Sequence, residues 1–221
     1  SADRPVIGIL RDSAFQFYYP ENLQALAERG ASLVEVSAVR EKVLPTLDAL
    51  YIGGGFPETH AEQLADNLSF RQSLRDAIEN GLPVYAECGG LMYLGKSLTV
   101  DTRTFPLAGA LPITFSMEKR PQGHGYTLLE VERENPFYAV GRVLKGHEFH
   151  YSRVLSLEEG RGHFAFRVKR GTGIKEKQDG LCHKNVLATY SHIHALGCEE
   201  WADGLMRKAR ENRPGYTLAA V

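Results

Sequence analysis

Residues 82–94 read LPVYAECGGLMYL, and the fold turns on how this stretch is interpreted. Pro83-Val84-Tyr85-Ala86 is a short apolar run of the kind a buried strand uses. Gly89-Gly90 breaks that pattern, and Leu91-Met92-Tyr93-Leu94 reads as the first turns of a helix. Cys88 falls between the two, where a strained strand-to-helix elbow lifts a nucleophile out of a sheet. Ala86 lies two residues before it and Gly90 two after, so tiny neighbours let strand and helix approach closely. A thiol facing a helix N-terminus is expected to ionise more readily than a free one. The bland alternative is a buried, inert cysteine. The glycine pair and the change of periodicity favour the nucleophile.

Upstream, Val6-Ile7-Gly8-Ile9-Leu10, Ser32–Val36 and Ala49-Leu50-Tyr51-Ile52 have the composition of buried strands. Residues 21–29 carry helical apolar spacing at Leu23, Leu26 and Ala27, and Gly30 is placed to stop that helix. The aromatic loop Phe15-Gln16-Phe17-Tyr18-Tyr19-Pro20 reads as cover for the core. Residues 60–80 are expected to be helical in two pieces, broken near Asn67-Leu68-Ser69. Strands alternating with helices imply crossover connections. The expected fold is therefore α/β, three layers around a mostly parallel central sheet.

Directly after the third strand comes Gly53-Gly54-Gly55-Phe56-Pro57-Glu58. Three glycines permit positive φ and close backbone approach, so their N–H groups can face an anion. No Gly-Lys-Ser/Thr follows, which excludes a nucleotide P-loop here. Beside a reactive cysteine, an oxyanion-stabilising loop that is flexible by composition is the more informative reading than a tight turn.

Residues 99–168 change texture, with β-formers, Gly and Pro suggesting antiparallel strands at one end of the sheet. Gly146-His147-Glu148-Phe149-His150-Tyr151 is unusually polar, but its histidines are not at the spacing of a zinc helix. On a strand His147 and His150 face opposite ways, so no metal site is expected. Val186-Leu187-Ala188-Thr189-Tyr190 resumes the buried-strand pattern and delivers Ser191-His192-Ile193-His194. A histidine just past the carboxyl end of a late parallel strand is placed to serve Cys88, because α/β sites gather at that edge. His192 and His194 are the candidates, with His60, His124, His147 and His150 weaker ones. Glu199–Glu211 reads as a terminal helix with Trp201, Leu205 and Met206 inward, ended by Arg213-Pro214-Gly215.

The 221 residues are ample for a substantial core, and the formal net charge of −1 gives no indication of nucleic acid or an anionic membrane. No stretch reaches the length of a membrane span, and the start, Ser1-Ala2-Asp3-Arg4-Pro5, has no apolar signal region. The missing initiator Met suggests a processed product or a piece of a longer chain. Three cysteines, Cys88, Cys182 and Cys198, suit a reducing cytoplasm, with the latter two structural.

Together the motifs GGGFPE (53–58), YAECGGLMY (85–93), GHEFHYS (146–152) and TYSHIH (189–194) resemble the glutamine amidotransferase domain of cobyrinic acid a,c-diamide synthases, in the class I, cobyric-acid-synthase-type branch. The likeness runs from Val6 to about Arg210 and implies a flavodoxin-like fold with additional antiparallel strands. It implies that Cys88 attacks the glutamine amide and that His192 is the base. The Gly89 N–H and the loop of Gly53, Gly54 and Gly55 would hold the oxyanion. The wider class places a carboxylate two residues after the histidine, where this chain has His194, so a dyad lacking the standard acid is expected. Glu148, His150 and His194 are supporting candidates, Glu148 as a substitute orienting group for His192.

The resemblance also implies that residues 1–221 form one glutaminase domain that binds no cofactor itself. ATP and Mg²⁺ would belong to a synthetase domain outside this chain, in the same polypeptide or a separate subunit, which also holds the tetrapyrrole acceptor. Ammonia from glutamine would amidate the a and c carboxylates of cobyrinic acid in cobalamin biosynthesis. The alternatives are the same chemistry serving nickel-sirohydrochlorin or another tetrapyrrole, a non-catalytic docking domain, or a cysteine hydrolase acting alone.

Overall fold

The computed structural model describes residues 4–214. In its first part, strands β1 (Val6–Leu10), β2 (Ser32–Val36), β3 (Ala49–Ile52) and β4 (Val84–Glu87) alternate with helices α1 (Pro20–Glu28), α2 (Ala61–Asp66) and α3 (Leu68–Glu79). Helix α4 (Gly89–Leu94) follows β4 directly. The second part holds β5 (Ser97–Val100), β6 (Arg103–Pro106), β7 (Ile113–Met117), β8 (Gly123–Val131), β9 (Val143–His150) and β10 (Ser152–Leu157). It continues with β11 (His163–Arg170), β12 (Gln178–His183), β13 (Val186–Thr189), β14 (His192–Ile193) and the terminal helix α5 (Glu199–Glu211).

Ten strands form one sheet in the order β14-β9-β8-β11-β12-β13-β4-β3-β1-β2. The run β13-β4-β3-β1-β2 is parallel, and the remaining strands of this sheet pair antiparallel. The β-rich segment therefore continues the sheet itself, which is mixed, with its parallel part around β4, the strand that leads into Cys88. Strands β10-β7-β5-β6 make a second, four-stranded sheet, in which β5 and β7 run parallel, against the antiparallel expectation.

Alternation along the parallel strands divides the interior in two. Leu50, Ile52, Val84 and Ala86 face a core shared with Leu64, Phe70, Leu74 and Phe115. Tyr51 and Tyr85 face the other core, with Leu26 of α1 and Trp201, Leu205 and Met206 of α5. Period-two alternation in a sheet covered on both faces puts apolar side chains on each side, which is why these strands read as continuous apolar runs. The break between α2 and α3 falls at Asn67, whose side-chain amide donates to the carbonyls of Ala38 (2.8 Å) and Glu41 (2.7 Å). Helix α1 begins at Pro20, and Gly30 stops it with φ +91°. The terminal helix ends at Glu211; Gly215, expected to end it, lies outside the described residues. Among the described residues no helix is long and apolar enough to cross a membrane.

Candidate active site

Cys88 occupies a left-handed conformation, φ 50° and ψ −101°, between β4 and α4. A non-glycine residue there costs about 1–3 kcal/mol, which the surroundings must over-determine. They do: its N–H donates to the Thr189 carbonyl (2.8 Å), tying the elbow to β13. A Cβ on Gly90 would stand 2.5 Å from the Ile52 carbonyl oxygen, so only glycine lets α4 sit this close to β3.

The thiol does not ionise readily in this conformation, contrary to the expectation from the helix end. Burial pushes it up to about 12, the carboxylates of Glu58, Glu87 and Glu148 add to the rise, and the Gly89 N–H opposes it. Desolvation dominates, and α4 has only six residues to set against it. The Sγ–H instead points at the Phe149 carbonyl, 3.7 Å away.

The glycine loop packs against the elbow, but its three N–H groups are not equivalent. Gly53 N–H donates to the Tyr18 hydroxyl (2.9 Å) and Gly54 N–H to the Phe17 carbonyl (3.2 Å). The Gly55 N–H makes no hydrogen bond among the described residues, and its nitrogen would lie 3.1 Å from a Cβ on Gly89. The Gly55 N–H is thus free to serve an anion at Cys88 and the Gly89 N–H already faces its sulfur, while those of Gly53 and Gly54 are taken. None of the loop glycines has positive φ; close approach is what requires them. The loop is pinned, not flexible: a Cβ on Gly55 would stand 2.1 Å from the Ala14 carbonyl oxygen.

His192 is buried at the carboxyl end of β13, as the sequence predicts, with its ring over Gly54 and edge-on to Phe17 at 4.7 Å. Burial, then the fields of His147 and His150, pull its pKa down to about 4, which leaves the imidazole neutral. No hydrogen bond joins it to Cys88 in this conformation.

Glu148 does not orient His192. In antiparallel register His192 lies opposite His147 and so shares its face, whereas Glu148 and His150 point to the other side of β9. Glu148 Oε2 instead meets His150 Nε2 at 3.1 Å, and its carboxylate accepts the N–H groups of Thr172 and Gly173. Burial raises this carboxyl, but His150 and the two N–H donors together hold it below its usual value. His150 Nδ1 faces the Ser152 carbonyl (2.9 Å), and its ring stacks on Tyr190 at 3.6 Å. Both ring nitrogens of His150 thus have oxygen partners, Glu148 on one side and the Ser152 carbonyl on the other. His194 leaves the site altogether, because β14 ends at Ile193. Its Nδ1 accepts from the Leu196 N–H (3.2 Å), and its Nε2 lies 3.5 Å from Glu21.

What fixes the histidine segment is a group that sequence reading missed. Glu87, next to Cys88 and fully buried, accepts the Ile193 N–H (2.6 Å) and the Tyr51 hydroxyl (2.6 Å). Asn22 donates to the Ile193 carbonyl (2.8 Å) and accepts the Ala195 N–H (2.7 Å). Burial lifts Glu87 to about 7 against these two donors. Its one sequence signal was a carboxylate inside an otherwise apolar strand. Phe17 was also missed. Expected as core cover, it is half-exposed, bridges to Gly54 and flanks His192.

Cys88 opens on a cavity of about 40 Å³ bounded by Gly55, Phe56, Glu58, Met92 and Phe149. A larger cavity, about 780 Å³, lies between α5 and residues 134–139 and contains none of these groups. Cys182 is buried and Cys198 half-buried, and all three thiols are free. Among the described residues no cluster of three or more His, Cys, Asp or Glu side chains could hold a metal ion.

The fold is that of glutamine amidotransferases. A solved structure titled as a glutamine amidotransferase matches with TM-score 0.65 and 24% identity, covering 92% of this chain and 98% of that one. The structure of PurLQS from Thermotoga maritima matches with TM-score 0.66 and 16% identity, over 93% of this chain and 97% of that one. Within that class, residues 6–199 match the CobB/CobQ-like glutamine amidotransferase domain, and the chain belongs to this family. It is similar to the cobyrinate a,c-diamide synthase of Magnetococcus marinus, 46% identical over 94% of this chain and 44% of that protein. The enzyme of the same name from Methanothermobacter thermautotrophicus is 44% identical over 93% of this chain and 44% of its own length. The chain thus spans about 44% of the length of these curated relatives.

Proposed function

We propose that this chain is the glutaminase half of an ATP-dependent amidoligase, and that its ammonia amidates the a and c carboxylates of cobyrinic acid. The observation that carries the reading is Cys88 on a left-handed elbow, with the Gly89 N–H at its sulfur and His192 delivered beside the same glycine loop. The names of the relatives supply the acceptor.

Cys88 sulfur attacks the amide carbon of glutamine, and its proton passes to His192. The oxygen of the tetrahedral intermediate takes the Gly55 N–H, which the loop leaves unpaired, and the Gly89 N–H at the head of α4 beside the sulfur. His192 returns the proton to the departing nitrogen, releasing ammonia and leaving a glutamyl thioester. Water, deprotonated by the same imidazole, then frees glutamate and restores the thiol. A neutral buried imidazole suits this base role. Carboxylate activation belongs to the remaining half of the enzyme, which would hold ATP, Mg²⁺ and the tetrapyrrole.

The cavity at Cys88, about 40 Å³, is far below the roughly 300 Å³ at which small-molecule sites begin. The thiol proton sits against Phe149, away from His192. The isolated chain is therefore expected to turn glutamine over slowly until the other half opens the mouth. Exposure to an electrophilic glutamine analogue, followed by mass spectrometry, tests the reading. A glutaminase is labelled at Cys88; labelling elsewhere, or none in the complete enzyme, refutes it.

A further inference from the structure

Glu58 stands at the cavity that Cys88 opens on, half-buried in the turn Pro57–His60 that follows the glycine loop. Its carboxylate takes only its own backbone N–H. No Lys or Arg among the described residues pairs with it; the field of the neighbouring His60, itself engaged with Gln63 at 3.0 Å, only partly offsets its burial. Every other carboxylate near the thiol is committed: Glu87 to Tyr51 and Ile193, Glu148 to His150, Thr172 and Gly173. A carboxylate held partly out of water without a cation carries a desolvation cost that a bound cation relieves. The same cavity is lined by the apolar side chains of Met92, Met117 and Phe149, with His150, Tyr151 and Ser152 completing it. One anionic group sharing a cavity with apolar side chains and the Cys88 thiol matches a substrate that joins an amide to an ammonium by a short aliphatic chain.

Resting on the glutaminase reading, we propose that Glu58 binds the α-ammonium of glutamine and so selects an α-amino acid amide over simpler amides. The methylene chain then lies along Met92 and Phe149, with the side-chain amide at Cys88. The rim supports entry: Phe56 is 65% exposed and Phe149 43%, so both rings can turn aside without breaking a core contact.

This arrangement couples recognition to reactivity. Burial is the main reason Cys88 resists ionisation, and the Glu58 charge is the next. An ammonium seated on Glu58 cancels that charge as the amide arrives, so the thiol is released for proton transfer to His192 only when substrate is present. Free enzyme keeps its nucleophile protonated, which protects it from stray electrophiles.

The test compares glutamine with 4-carbamoylbutanoate, its analogue without the α-amino group, in the complete enzyme. The unsubstituted enzyme is expected to prefer glutamine in kcat/KM by about ten- to a hundredfold, the scale of a charge-assisted hydrogen bond. In Glu58→Gln that preference collapses through loss on glutamine alone, while Glu58→Asp recovers part of it. Iodoacetamide modification of Cys88 in Glu58→Gln moves to lower pH, because an anion beside the thiol has been removed. A preference that survives Glu58→Gln, or an equal loss on both amides, overturns the proposal while the glutaminase reading stands. No glutamine hydrolysis by the unsubstituted complete enzyme overturns both.

Discussion

Replacing Gly54 by alanine probes the placement of His192 with a single methyl group. A Cβ at Gly54 would stand 2.6 Å from His192 Cε1, and 3.4 Å from both His192 Nε2 and the Phe17 Cβ. Carbon atoms pack comfortably at about 3.5–4.0 Å, so something must give by roughly 1 Å. The backbone is not the obstacle, since Gly54 lies outside the left-handed region and an alanine fits its φ. Phe17 supports the imidazole edge-on, and Glu87 and Asn22 hold the Ile193 backbone. The ring therefore turns at its side-chain torsions and leaves the line to Cys88. A misplacement of about 1 Å costs about a hundredfold in rate. Overpacking of this kind costs about 1–3 kcal/mol, so the melting temperature should fall by about 2–12 °C and the fold should survive. Glutamate release and amidation from added ammonia should be measured side by side in the complete enzyme. The expected result is an approximately hundredfold loss of the glutamine-dependent rate with ammonia-dependent amidation preserved. Unchanged glutamine use would refute the placement of His192 as the base.

Further outcomes follow from the same geometry. Cys88→Ser should abolish glutamine-dependent amidation and spare amidation from ammonia, while Cys182→Ser and Cys198→Ser should leave glutamine use largely intact; steady-state assays decide between them. His192→Ala should cost about a hundred- to ten-thousandfold in glutaminase rate, and His194→Ala far less, since His194 caps a turn and faces Glu21, away from Cys88. Because burial holds His192 near 4 against an ordinary 6.5, the unfolded chain binds more protons between those values. Its contribution to stability is complete above 6.5 and is lost as pH falls towards 4; chemical denaturation at stepped pH should show His192→Ala flattening that slope. Glu87→Ala should leave the Tyr51 hydroxyl and the Ile193 N–H without acceptors, at about 1–3 kcal/mol for each donor. Denaturant unfolding near wild-type stability would show that this carboxylate does not anchor the histidine segment.

The amino-acid sequence by itself determined the parallel half of the sheet, the elbow at Cys88 and the delivery of His192. Each is a local matter: apolar runs of strand length, glycines at fixed offsets, and a histidine just after the last such run. It also carried the family, because four short motifs occur in one order. Tertiary structure alone decided the electrostatics and the pairings. The helix end at Gly89 is visible in sequence, but the burial that outweighs it comes from residues far along the chain, such as Phe149 at the thiol. Glu148 was legible as an acid near a histidine. Which histidine it serves depended on strand register, and a register that pairs His192 with His147 turns Glu148 to the opposite face. Glu87 finds its partner in β14, 106 residues later, at a contact that no local pattern announces. Local pattern fixes where the chain turns and which faces are apolar; which polar groups meet across the sheet is set by contacts that no sequence window contains.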